Sequence, residues 1–112
     1  MKRRVNVRGI IINDKGELFC QRLTARNEDG RNFWCTPGGG LDPLESLTDG
    51  LRREMIEETG VTPLEYELCE IVLQQWMGAD IYVVLYKVTR FDGQARADGN
   101  EVLQVLWADP RN

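Results

Sequence analysis

Val5 and Val7 alternate with polar neighbours before the chain turns wholly apolar at Ile10-Ile11-Ile12. Period two running into an apolar stretch predicts a strand that becomes buried on both faces. Asn13-Asp14-Lys15-Gly16 has turn chemistry, so Leu18-Phe19-Cys20 reads as the returning strand, ending at Gln21-Arg22. Residues 23–32 are polar and read as a loop. Phe33-Trp34-Cys35 reads as a short strand leading into Pro37-Gly38-Gly39-Gly40. The period then changes. Leu47, Leu51 and Met55 are spaced by four, which makes one apolar stripe on a helix. Ser46 suits its N-cap, with Asp49 three residues on, and Gly60 suits a left-handed stop. Beyond the helix, Ile71-Val72-Leu73 reads as part of a strand within 64–77, and Gly78-Ala79-Asp80 as a turn. Ile81 to Val88 is the strongest strand signal in the chain. Residues 91–100 carry two Asp-Gly turn signals and read as a loop, and 102–107 as a last strand. Strands dominate, one helix is secure, and no repeat, low-complexity tract or linker divides the chain. Residues 1–112 therefore read as a single domain.

Composition narrows the chemistry. Hydrophobic content of 42% and charged content of 29% are ordinary for a soluble globular protein. Apolar runs fall far short of a membrane span, and Lys2-Arg3-Arg4 leads into strand alternation rather than a signal peptide, so a cytoplasmic location is expected. Cys20, Cys35 and Cys69 are odd in number and form no CxxC, which fits reduced, mostly buried thiols. The absence of histidine removes His-based triads and His-ligated zinc. A general base is then a carboxylate, a lysine, a tyrosine or a metal-activated water.

Charge is unevenly placed. Between residues 39 and 61 stand Asp42, Glu45, Asp49, Glu54, Glu57 and Glu58 against Arg52 and Arg53, while the remaining 12 acidic and 12 basic groups cancel. The whole net charge of −4 thus lies in one segment. Such a segment repels a polyphosphate unless divalent cations reverse its sign locally. With no basic patch, non-specific binding to nucleic acid is not expected.

Glu54, Glu57 and Glu58 sit three and four apart, within an arc of roughly 100° on a helix. An isolated Glu-Glu pair usually marks a solvated face. Here the carboxylates belong to a longer pattern: Gly39, five residues, Glu45, seven residues, then Arg53-Glu54-Met55, Glu57-Glu58, Gly60-Val61. Every specified position is filled, and at background frequencies a chance match is on the order of one in ten million. Trp34, Pro37, Gly38 and Gly39 add a W-x-x-P-G-G run just before it. On these residues the chain resembles the Nudix hydrolase family.

The resemblance implies an α/β fold, an α/β/α sandwich on a mixed β-sheet, and hydrolysis of a nucleoside diphosphate linked to another moiety. It implies Mg²⁺, with Mn²⁺ as substitute, held by Glu54, Glu57, Glu58 and the Gly38 carbonyl. Oxygen-only ligands suit such hard ions. Arg53, four residues before Glu57, is expected to fix a catalytic carboxylate by ion pairing, with Glu45 supporting it. Glu54 and Glu57 are candidates for catalysis. The family also places a distal acid a few residues before a last-strand tryptophan. Glu101 fits that place ahead of Trp107, with Asp98 as runner-up and a solvated strand start as the plain alternative. Trp34, Trp76, Tyr82 and Tyr86 are candidates to stack a base, or simply pack. Arg22, Arg26 and Arg31 flank the polar loop and are candidates to meet phosphate or base.

Two positions depart from the family habit: Leu44 where many relatives have glycine, and Gly50 where alanine is common. Neither is among the expected ligands. Relatives also usually continue past the last strand into a further helix, and here Asp109-Pro110 is followed by two residues. The open face expected beside Leu103, Val105, Leu106 and the 81–88 strand suggests a homodimer whose partner covers it. The competing reading is a non-catalytic nucleotide-sensing or interaction module, for which three intact carboxylates are unnecessary. Within the enzymatic reading, the absence of an insertion favours a nucleoside triphosphate or a small nucleotide sugar such as ADP-ribose.

Overall fold

The computed structural model describes residues 2–26, 32–76, 78–96 and 102–109. The strands are β1 (Lys2–Ile11), β2 (Leu18–Arg26), β3 (Asn32–Cys35), β4 (Gly38–Gly40), β5 (Thr62–Trp76), β6 (Ala79–Asp92) and β7 (Val102–Ala108). Helix α1 spans Leu47–Thr59 and is the single helix among the described residues. A mixed four-stranded sheet runs β4-β1-β6-β5, and a three-stranded antiparallel sheet runs β3-β2-β7. This is the α/β arrangement on a mixed sheet that the motif implied.

The parallel pair at the centre of the larger sheet aligns Lys2 with Ala79 and Ile11 with Val88. Val7, Ile11, Val84, Tyr86 and Val88 from this sheet meet Phe19 of β2 and Leu51 and Met55 of α1 in one buried cluster. Gly9 lets the helix seat closely, because a Cβ there would stand 2.8 Å from Met55 Sδ. Leu51 and Met55 are wholly buried, and truncating either to alanine costs about 2–5 kcal/mol. Leu47, expected in the same stripe, stands 36% exposed at the first turn. The helix ends behave as the sequence predicts. Ser46 accepts from the Asp49 amide, and Gly60, at φ 77°, donates to the Ile56 carbonyl.

Some elements differ from expectation. The turn after Asn13 forms: Asn13 Oδ1 accepts from the Lys15 and Glu17 amides, and Gly16 adopts φ 76°. Yet its two arms enter different sheets and meet only at an isolated Ile12–Leu18 bridge. The expected loop at 23–32 begins late. Pairing of Leu23 with Val102 and of Arg26 with Asn32 carries β2 through Arg26 despite its polar sequence. Tertiary pairing here overrides local composition. The glycine run likewise becomes a strand, with Gly38, Gly39 and Gly40 opposite Arg8, Val7 and Asn6. Most of the 81–88 strand is covered rather than open: Ile81, Val83, Val84, Tyr86 and Val88 are all buried. No helix among the described residues is long and apolar enough to cross a membrane.

Candidate functional site

The site is built where α1 packs against β4 and Glu58 reaches Gln21 of β2. Gly38 is the tightest point. Its φ is +150°, and an added Cβ would overlap the Val7 carbonyl and the Arg8 backbone, so only glycine fits. At Gly39 a Cβ would stand 2.8 Å from the Glu54 carboxyl group. The two glycines thus let the strand pass directly beneath the acidic face of the helix.

Arg53 is the hub of that face. Its Nε donates to Glu45 Oε2 at 2.8 Å and its Nη2 to Glu45 Oε1 at 2.9 Å, a bidentate pair. Asp42 Oδ2 lies 3.1 Å from the same Nε. Nη1 reaches Glu54 at 3.0 Å and Glu57 at 3.3 Å, and Nη2 donates to the Gly40 carbonyl at 3.0 Å. The Arg53 hydrogen bonds, reinforced by the Asp42 amide, hold the Glu45 carboxyl at about 2. Glu45 and its neighbours in turn push the guanidinium pKa upward. The arginine therefore clamps the loop before the helix to the acidic face of the helix.

Glu58 turns the other way, into the protein. It is 7% exposed. Its Oε2 accepts from the Gly38 amide at 2.9 Å and its Oε1 from Gln21 Nε2 at 3.3 Å. Burial raises its pKa to about 7, repulsion from Glu54 adds to the rise, and the Gly38 amide and Arg8 oppose it. A buried carboxyl crowded by a second one is the environment a divalent cation relieves.

The expected residues are only partly gathered. Glu54 and Glu58 approach each other closely enough to repel, whereas the Glu57 side chain is 61% exposed and rests on Arg53. No group of three or more Asp, Glu, Cys or His side chains is assembled to hold a metal among the described residues. The donor set still fits a hard ion: oxygen ligands, one buried carboxylate, and glycines that allow close backbone approach. Arg22 and Trp34 are cross-strand partners, and Trp34 is exposed. Arg26 lies on β2 and Trp76 ends β5, but their side chains lie outside the described residues, as do Arg31, Asp98 and Glu101 altogether. Of the other stacking candidates, Tyr86 is core, edge-on to Tyr66, and Tyr82 is partly exposed.

Two contributors escaped the sequence reading. Asp42 joins the Arg53 cluster through a turn that no periodicity reveals. Gln21 was legible in principle, since it shares the inward face of β2 with Phe19, and a polar residue at a core position is a signal.

A family model described as the NUDIX domain matches residues 2–112. An RNA pyrophosphohydrolase of Sulfurovum is 36% identical over 94 residues, 83% of this chain and 58% of that protein. The chain thus spans little more than half the length of that relative. A MutT NUDIX hydrolase structure from Burkholderia pseudomallei superposes with TM-score 0.87 at 24% identity, covering 97% of this chain and 84% of that one. The solution structure of the E. coli ORF135 protein superposes with TM-score 0.82 at 27% identity, covering 99% and 76%. Together with the filled motif and the Arg53-clamped acidic helix, the match across nearly the whole chain makes this protein a member of the NUDIX domain family.

Proposed function

We propose that this domain hydrolyses a pyrophosphate bond in a nucleoside diphosphate linked to a further group, using a divalent cation. The observation that carries the reading is the helix face on which Arg53 clamps Glu45, Glu54 and Glu57 while Glu58 is buried against Gly38. Glu54, Glu57, Glu58 and the Gly38 carbonyl would hold Mg²⁺, or Mn²⁺ in its place. When bound, the ion neutralises diphosphate oxygens and acidifies water. Arg53 keeps the carboxylates oriented, and Glu54 or Glu57 accepts a proton from the attacking water. Glu101 is the alternative base. Arg22 and Trp34, cross-strand partners on β2 and β3, are proposed to meet phosphate and base. Arg26, Arg31 and Trp76 are proposed as further substrate contacts from sequence alone.

A nucleoside triphosphate or a small nucleotide sugar such as ADP-ribose is the favoured substrate. A second reading, a triphosphate at an RNA 5′ end, is favoured by the relative named RNA pyrophosphohydrolase. A single domain of residues 1–112 acting as a homodimer in the cytoplasm completes the proposal. Phosphate-release assays across these substrates, coupled to pyrophosphatase or phosphatase, test it. Turnover should require Mg²⁺ or Mn²⁺ and vanish in chelator. Full activity in excess EDTA overturns the metal role, and absence of turnover on every substrate with metal present favours the non-catalytic reading.

A further inference from the structure

Gln21 is fully buried, as is Phe19 two residues before it on the same face of β2. A glutamine in such surroundings needs both ends of its amide paired to be tolerated without cost. Here only one end is. Nε2 donates to Glu58 Oε1 at 3.3 Å, whereas the buried Oε1 has no hydrogen-bond partner. The Cys35 thiol, opposite Gln21 in the β2–β3 ladder, is close enough to interact with the amide, but not in hydrogen-bonding geometry to Oε1. Methionine has nearly the same length and shape and would remove the orphaned Oε1, though it would also withdraw the donor that Glu58 Oε1 uses. The unpaired oxygen is a cost that glutamine carries at this position.

The contact with Glu58 supplies a reason for it. The Gly38 amide ties one carboxylate oxygen and Gln21 ties the other. A carboxylate held at both oxygens cannot rotate about its last torsion. We infer that Gln21 is a positioning residue: it fixes the plane of the Glu58 carboxylate, so that a divalent cation meets a ligand already oriented. This rests on the reading of Glu58 as a metal ligand. Partners that orient a ligand in this way typically contribute 10–100-fold to metal affinity.

The test is Mn²⁺ binding without substrate, with free Mn²⁺ followed by electron paramagnetic resonance, alongside thermal unfolding in EDTA. Gln21→Met should weaken Mn²⁺ binding about tenfold, with a cooperative metal-free unfolding transition showing that the variant is folded. In a Glu58→Gln background the same substitution should change Mn²⁺ affinity less than about twofold, since the residue to be oriented is gone. Should Gln21→Met not fold, Gln21→Asn serves, because it keeps an amide in the core but withdraws it from Glu58. Unchanged Mn²⁺ affinity in the folded variant overturns the assignment. So does an equal loss in the Glu58→Gln background, which marks a general structural effect. A wild-type protein that binds no Mn²⁺ overturns instead the metal-site reading beneath it.

Discussion

Leu44 stands at φ 63° and is fully exposed, in the loop that delivers Glu45 to Arg53. A branched side chain in the left-handed region costs of order 1 kcal/mol, and nothing buried repays it here. Leu44→Gly should therefore stabilise the protein by about 0.5–1 kcal/mol, read as a higher denaturant midpoint at unchanged slope. A lower midpoint would show that the leucine makes a contact worth more than its backbone strain. Gly50 shows the opposite logic. A Cβ there would overlap Leu41 Cδ2 and stand 3.1 Å from Glu45 Oε1. The alanine expected from helix propensity would push on the carboxylate that Arg53 grips. Helix propensity worth about 1 kcal/mol is given up so that the loop can lie close.

At the scale of the element, two carboxylates, Glu45 just before α1 and Glu58 within it, titrate in opposite directions. Glu45, just before the helix, is held at about 2 by Arg53, so its contribution to stability is lost only as pH falls below the ordinary carboxylate range. Glu58 is raised to about 7 from an ordinary 4.5, chiefly by burial. The folded protein then holds a proton that the unfolded chain has released, between about 4.5 and 7. Metal-free stability should fall as pH rises through that window, by on the order of 3 kcal/mol, and stay low above it. Denaturant unfolding in EDTA at pH 5 and pH 8 checks this. The wild type should lose stability between them relative to Glu58→Gln, and the substituted protein should be the more stable at pH 8. Equal pH dependence of the two would remove Glu58 as the cause. Glu58→Gln should also abolish turnover while leaving the fold intact.

For the whole molecule, the exposed apolar surface includes Leu106 and Tyr82, as the sequence implied, and extends onto β5. Leu68, Ile71 and Leu73 on the edge strand β5 are each 56% exposed. Register places them beside Tyr86, Val84 and Tyr82 on the face that α1 covers further along. Val5 and Tyr82, themselves partly exposed, continue the patch. Of the residues first suspected, Leu106 is exposed and Val105 packs against the core, while the Leu103 side chain lies outside the described residues. An apolar patch along an unpaired strand edge favours self-association. A homodimer is expected, with a second copy covering β5 by a symmetric contact. Light scattering behind size exclusion at micromolar concentration should give twice 12.8 kDa, and Ile71→Lys should halve that mass. A stable species of one-chain mass in the wild type rules the dimer out.

Local signals determined what depends on neighbours along the chain. Ser46 and Gly60 bound the helix because capping is a matter of a few adjacent backbone groups. The spacing of Arg53, Glu54, Glu57 and Glu58 set their common face, because helical geometry turns spacing into angle. Pairing over long distances was invisible. The glycine run became β4 only because β1 offered it a ladder, and β2 outran its polar sequence because β3 and β7 hold it. The three carboxylates, alike in sequence, were separated by their surroundings: Glu57 to the rim, Glu54 under Arg53, Glu58 into the core beside Gln21. Burial and hydrogen-bond partners set a carboxylate's ionisation, and only the tertiary structure supplies them.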